Sequence, residues 1–184
     1  MPPALKTARL TLRPLESGDA ERILALCGDL AVSRWLSRVP HPYTPGDAER
    51  FIAECRNGFV WAIEQTSQPG LIGTIGLDGP SDRRMLGYWL GQPYWGRGLA
   101  SEAATAVIAY GFSTLRIIQL ESGAFEGNAS SLRIQEKLGF TITGQHKLRC
   151  TALDREVMHI DTLLTRAGWE ARQHAYVPGG EHAE

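Results

Sequence analysis

The run Trp95-Gly96-Arg97-Gly98-Leu99-Ala100-Ser101 carries the residue types from which an anion site is built. Glycine lets the backbone approach a phosphate oxygen closely. A helical pattern opens just after the glycines, and the first amides of a helix have no intrahelical partner. They point outward at a ligand, and the helix dipole adds a positive end. Arg97 would add a full charge. Three chemistries compete for such a turn. A phosphate loop of the form GxxxxGK[ST] does not fit. A dinucleotide fingerprint, GxGxxG, fits at Gly96 and Gly98 but meets Ser101 in place of its third glycine. Glu121 falls near the offset of its ribose-binding acid, yet the motif lies mid-chain, whereas that fold commonly opens with it. The third reading is a turn that merely caps a helix.

A second segment separates these readings: Phe125-Glu126-Gly127-Asn128-Ala129-Ser130-Ser131-Leu132, continuing to Lys137-Leu138-Gly139-Phe140. With it, the sequence resembles the GNAT acetyltransferases, most closely their ribosomal-protein-acetylating, RimJ/RimL-like branch. The YWGRGLASEA run is similar to that branch's acetyl-CoA loop, and the NxxS…KLGF run to its later cofactor-side motif. The resemblance spans roughly residues 7–164 in element order. The general family loop reads Gln or Arg, two residues, Gly, one residue, then Gly or Ala, and Gly98 and Ala100 fill the last two places. Trp95 occupies the Gln/Arg position, a departure the branch shares, and it removes a side-chain contact but no backbone amide.

The resemblance implies a fold and a mechanism. The fold is α+β: one domain with a mixed, mostly antiparallel central sheet, flanked by helices, in which a splayed strand pair binds CoA. The region of Leu90 would hold the pantetheine arm. The amides around Trp95, Gly96, Arg97, Gly98, Leu99, Ala100 and Ser101 would hold the pyrophosphate. Asn128 would reach the pantetheine, since an amide both donates and accepts. Ser131 would sit near the sulfur as proton donor to the departing thiolate, an undemanding step for a thiol of pKa about 8.5. The plainer view of Asn128 and Ser131 is helix capping. The co-substrate is acetyl-CoA, the partner an amine acceptor, and neither metal nor nucleic acid is expected.

The general base is not legible. Many family members carry a Glu in the strand before the loop, where this chain has Arg84, Met85 and Leu86. Glu121 and Glu126 fall near the cleft but read as surface or capping carboxylates. A weak base suits an α-amine of pKa near 8 better than a lysine amine near 10.4. Trp35, His41, Tyr43 and Trp89 are the candidates for lining an acceptor pocket. His146, His159, His174 and His182 show no metal-ligand spacing with His41, and His159 reads as a structural residue of a closing strand. Cys27, Cys55 and Cys150 include no CxxC pair and read as free thiols of a reducing compartment.

The elements that must position these groups follow from pattern. Arg9–Arg13 alternates as a strand and Pro14 ends it. Ala20–Cys27 has helical spacing, and Val32–Leu36 is a shorter helical stretch. Pro40, Pro42 and Pro45 break regular helix, after which Thr44 or Asp47 caps a helix over 46–55. Phe59–Glu64, Leu71–Leu77 and Met85–Leu90 read as a meander of strands. A helix runs from the glycines through Phe112, a strand over Arg116–Glu121, and a helix over Ala129–Leu138 stopped by Gly139. Phe140–Gly144 and Glu156–Leu164 close the sheet. Residues 165–184 read as a polar, frayed tail.

The whole chain of 184 residues suits a single domain over 1–184. Its formal net charge of -1 lacks the basic excess of a general nucleic-acid binder. No apolar run reaches membrane-spanning length and no signal core precedes Leu5, so the expectation is a cytoplasmic monomer or homodimer. A non-catalytic acyl-CoA-binding module is the alternative that the missing base suggests.

Overall fold

The computed structural model describes residues 1–80 and 83–175. Strand β1 is Leu5–Lys6 and β2 is Leu10–Pro14, where Leu10 and Leu12 are fully buried and Thr11 is not. That period of two is what turns one strand face to the core. A single 3-10 turn leads into α1, Ala20–Cys27, and α2 is only Leu30–Ser33. Helix α3 is Pro45–Cys55. Both sequence candidates for its cap are used: the Thr44 hydroxyl accepts from the Asp47 amide, and the Asp47 carboxylate accepts from the Thr44 amide. Pro45 fills the first turn, where its missing N–H costs nothing.

Three strands follow as expected, each slightly longer than its apolar pattern: β3 Phe59–Gln65, β4 Gln68–Asp78 and β5 Arg84–Leu90. Helix α4, Leu99–Ser113, is the long one, and it buries Ala103, Ala104, Val107, Ile108 and Phe112 on one face. Strand β6 is Gln119–Phe125, later than the expected span over 116–121. The reason lies in the turn. Arg116 has a φ of 55°, and Ile117 packs back on α4, where a Cβ on Gly111 would stand 2.8 Å from its Cδ1. Of the apolar pair that looked like strand, Ile117 is a helix-to-strand plug and Ile118 is exposed. Helix α5 is Ala129–Leu138, ended by Gly139 at φ 97°. Strands β7, Thr141–Cys150, and β8, Arg155–Thr165, form a hairpin much longer than its apolar residues suggest. Helix α6, Arg166–Ala175, corrects the expectation of a frayed tail from residue 165. Trp169 is buried there and lies 6.4 Å from the Phe112 ring, so the segment gains core contacts that its polar composition conceals. The rest of that tail lies outside the described residues.

The eight strands form one sheet in the order β1-β2-β3-β4-β5-β6-β8-β7. All neighbours are antiparallel except β5 and β6. One face of the sheet packs on α4, α5 and α6 through Ile75, Leu77, Leu86, Leu120 and Leu164. The other packs on α1 and α3 through Ala62, Leu71 and half-buried Trp89. No helix among the described residues is long and apolar enough to cross a membrane.

Candidate active site

Strands β5 and β6 are paired only at Arg84↔Leu120 and Met85↔Glu121. One more link follows, from the Ser122 hydroxyl to the Leu86 carbonyl at 2.9 Å. Beyond it the strands part, and among the described residues β5 has no ladder partner on that side from Gly87 to Leu90. The opening is the middle of a cleft of about 1400 Å³. The glycine turn lies along it. Gly96 and Gly98 both take left-handed backbone, φ 71° and 75°, which side chains disfavour. Gly98 is the N-cap residue of α4, and no side chain caps that end. The amides of Leu99, Ala100 and Ser101 therefore have no intrahelical acceptor and border the cleft.

Arg9 and Glu102 hold this end in place. Glu102, in the first turn of α4, accepts from the Thr7 hydroxyl at 2.6 Å, the Arg9 amide at 2.8 Å and the Arg9 guanidinium at 2.7 Å. Burial works against its charge, but these donors outweigh it and hold the carboxyl below its ordinary range. Arg9 also donates to the Arg97 carbonyl at 3.0 Å. Arg97 does not line the cleft and, with Arg9, borders a separate hollow of about 380 Å³. This differs from the expected added charge over the phosphates; the two glycines let the residue between them face the other side of the loop.

Of the other residues anticipated for the site, Trp35, Tyr43, Trp89, Leu90, Trp95, Gly96, Gly98, Leu99, Ala100, Ser101, Asn128 and Ser131 border the one cleft; His41 does not, and its Nδ1 lies 3.2 Å from the Gly28 carbonyl. Their roles are sharper than their types suggested. The Trp95 indole donates to the Leu90 carbonyl at 2.7 Å, and Trp95 is still 42 % exposed. The strand carbonyl nearest the turn is thus already engaged. The Asn128 side-chain oxygen accepts from the Ser131 amide at 3.2 Å, an N-cap, while its NH₂ donors take no part in that cap. Trp35 lies against Gly127, close to where a Cβ would sit. Tyr43 packs with the α1–α3 core, and burial pushes its phenol upward. Burial also pushes Cys27 up to about 12 and Cys55 to about 11, so neither is a ready thiolate. Glu121 is tied to Arg83 at 2.6 Å.

Sequence reasoning missed the partners of Ser131. The Tyr88 hydroxyl lies 3.0 Å from the Ser131 hydroxyl, and Gln135 donates to the same oxygen at 3.3 Å. The orientation of Gln135 is set from its far end: Thr162 donates to its carbonyl at 2.7 Å, which leaves the NH₂ for Ser131 and the Gly123 carbonyl. Burial raises the Tyr88 phenol, with the Ser131 and Gln135 hydrogen bonds acting weakly the other way, so it keeps its proton. Two hydroxyls thus share a proton position at the fork. Also missed was a cluster on the β7–β8 hairpin. Asp161 accepts from His146 Nδ1 at 2.9 Å and from His159 Nδ1 at 3.0 Å. The i, i+2 spacing of His159 and Asp161 on one strand face was a visible signal; the register that brings His146 opposite was not.

A family model described as an acetyltransferase (GNAT) domain matches residues 9–141. An uncharacterized N-acetyltransferase of Bacillus subtilis, YoaA, is 31% identical over 150 residues, covering 77% of this chain and 85% of its own. Among solved structures, a GNAT-family acetyltransferase from Bacillus anthracis superposes with a TM-score of 0.79 at 21% identity, covering 89% of this chain and 98% of that one. A spermidine N-acetyltransferase from Vibrio cholerae, solved with CoA and spermine, reaches 0.75 at 18% identity over 89% and 99% of the two chains. The forked sheet and the glycine-led helix define an acyl-transfer scaffold. The chain belongs to the GNAT N-acetyltransferase family.

Proposed function

We propose that the protein transfers the acetyl group of acetyl-CoA to a primary amine by direct attack, in the cytoplasm. The observation that carries this is the uncapped, glycine-led start of α4 opening onto the same fork as the Ser131–Tyr88 hydroxyl pair. The first suits a pyrophosphate. The second would supply a proton to a leaving thiolate at the fork. Leu90, Trp95 and Asn128 would follow the pantetheine arm, and Trp35, Tyr43 and Trp89 would border the acceptor.

The acceptor we favour is a single amine of modest pKa, such as a protein N-terminus, in line with the RimJ/RimL-like loop. Asp47 and Asp78, which border the cleft, already pair with Arg50 and Arg38. Of the carboxylates bordering the cleft, that leaves Glu54 as the negative charge open to a polycation. Spermine nevertheless belongs in the panel, because a structural relative is captured with it. The test is release of free CoA from acetyl-CoA with peptide amines, spermine and small amines. Wild-type protein should turn over at least one acceptor. Ser131→Ala should lower kcat by about 100-fold, in the range of a lost proton donor, with CoA affinity little changed. Unchanged turnover removes Ser131 from the mechanism.

A further inference from the structure

We propose that His159 is the general base of this site, oriented by Asp161, and that it serves the acceptor side of the fork; this rests on the acetyl-transfer reading above. Position comes first. On β8, Thr162 meets Gln135 of α5 and Leu164 enters the α4–α6 core. Strand alternation therefore puts His159 and Asp161 on the opposite face, the side of α1–α3. Ser131 and Tyr88 stand on the α5 side. The fork has hydroxyls on one face and an imidazole on the other, the arrangement required when a thiolate departs in one direction and an amine arrives from the other.

The local geometry makes His159 a base and not only a strand residue. It borders the cleft and is 17 % exposed. Its ring stands over Gly123, where a Cβ would lie 2.3 Å from Cε1 and 2.9 Å from Nε2. Gly123 is the second residue past Glu121, where β6 last pairs with β5. A side chain at 123 would expel the ring, so the glycine is what seats it at the fork. Phe125 meets the ring edge-on at 5.7 Å, and His146 lies 5.3 Å away. The tautomer follows from Asp161. Burial would raise that carboxyl, but the two imidazoles outweigh burial and hold it below its ordinary range. An ionised carboxylate only accepts hydrogen bonds, so His159 Nδ1 carries the proton and Nε2 keeps the lone pair.

The proton account closes. Nε2 takes one proton from the acceptor ammonium and passes it to solvent. The freed nitrogen lone pair forms the C–N bond at the thioester carbonyl, and the C–S bond breaks as the tetrahedral adduct collapses. The second nitrogen proton goes to solvent, and Ser131 protonates the sulfur and is reprotonated from solvent. One proton is released in net. Asp161 touches no reacting atom and is a positioning residue.

The experiment compares wild type, His159→Ala, His159→Gln and Asp161→Asn with acetyl-CoA and two acceptor peptides, one with a free α-amine and one with a free lysine amine. CoA-induced thermal stabilisation reports folding and donor binding. His159→Ala should lose about 100-fold in kcat/KM, regain part of it with added imidazole, and lose more on the lysine acceptor. Asp161→Asn should lower kcat with KM little changed. Turnover by the His159 variants within threefold of wild type overturns the proposal. So does a loss equal on every acceptor and deaf to imidazole, which marks a structural role. If the alanine variant loses its CoA response, the glutamine and asparagine variants decide by the same readouts. Wild-type protein that binds CoA but acetylates no amine overturns acetyl transfer itself, and the base with it.

Discussion

The Tyr88 hydroxyl meets Ser131 across two elements, 3.0 Å from its hydroxyl and 3.4 Å from its carbonyl, and the consequences of losing either residue are different. Ser131 is also fixed by its own helix cap and by Gln135. Tyr88→Phe deletes only an oxygen and keeps the ring in the α4–α5 core. The lost hydrogen bond is worth about 1 kcal/mol in stability, so the fold should tolerate it. Its effect should fall on chemistry: kcat lower by about 10-fold, in steady-state assays, through poorer polarisation and reprotonation of Ser131. Equal loss of CoA affinity would instead make Tyr88 a binding residue.

At the scale of elements, α4 is held at its glycine end by Glu102 and Arg9, and that anchorage titrates. The Glu102 carboxyl is lowered in the folded protein. Its contribution is complete above the ordinary carboxyl value of about 4.3 and is lost as pH falls through the lower folded value. Glu102→Gln should therefore be less stable than wild type at pH 6–7, with the gap closing toward pH 3, as read by thermal melts; a constant gap would make the contact insensitive to charge. The same scale shows what could be read beforehand. The glycine turn, the Asn128–Leu138 helix and the cap at Thr44 were legible, because capping and left-handed positions restrict residue type locally. The start of β6 was not, since Ile117 obeys a contact with α4 and no local periodicity. The β7–β8 hairpin was read short because its outer strand is largely exposed and carries few apolar residues. With it went the approach of His146 to Asp161, which depends on register and so on the whole hairpin.

For the whole molecule, the sheet is closed at one end by α6. Trp169 is buried against Phe112 and belongs to the α4–α6 core. Trp169→Ala should cost about 3 kcal/mol, the low end for a buried aromatic, or on the order of 10 °C in Tm for a chain of this size. A loss near zero would show that the helix only rests on the surface.

The fork between β5 and β6 has a further consequence if donor and acceptor meet there from opposite faces. The sheet then acts as a partition with a slot, and the acyl carbon is the one atom whose bonding partner changes sides. Sulfur stays behind the partition and nitrogen in front of it. The surface that would recognise the donor is then built by α4 and α5, and the one that would recognise the acceptor by α1–α3 and the long hairpin. Evolution can then redraw one without disturbing the other. A constant donor with a changing choice of amine is the pattern such a wall would leave among its descendants.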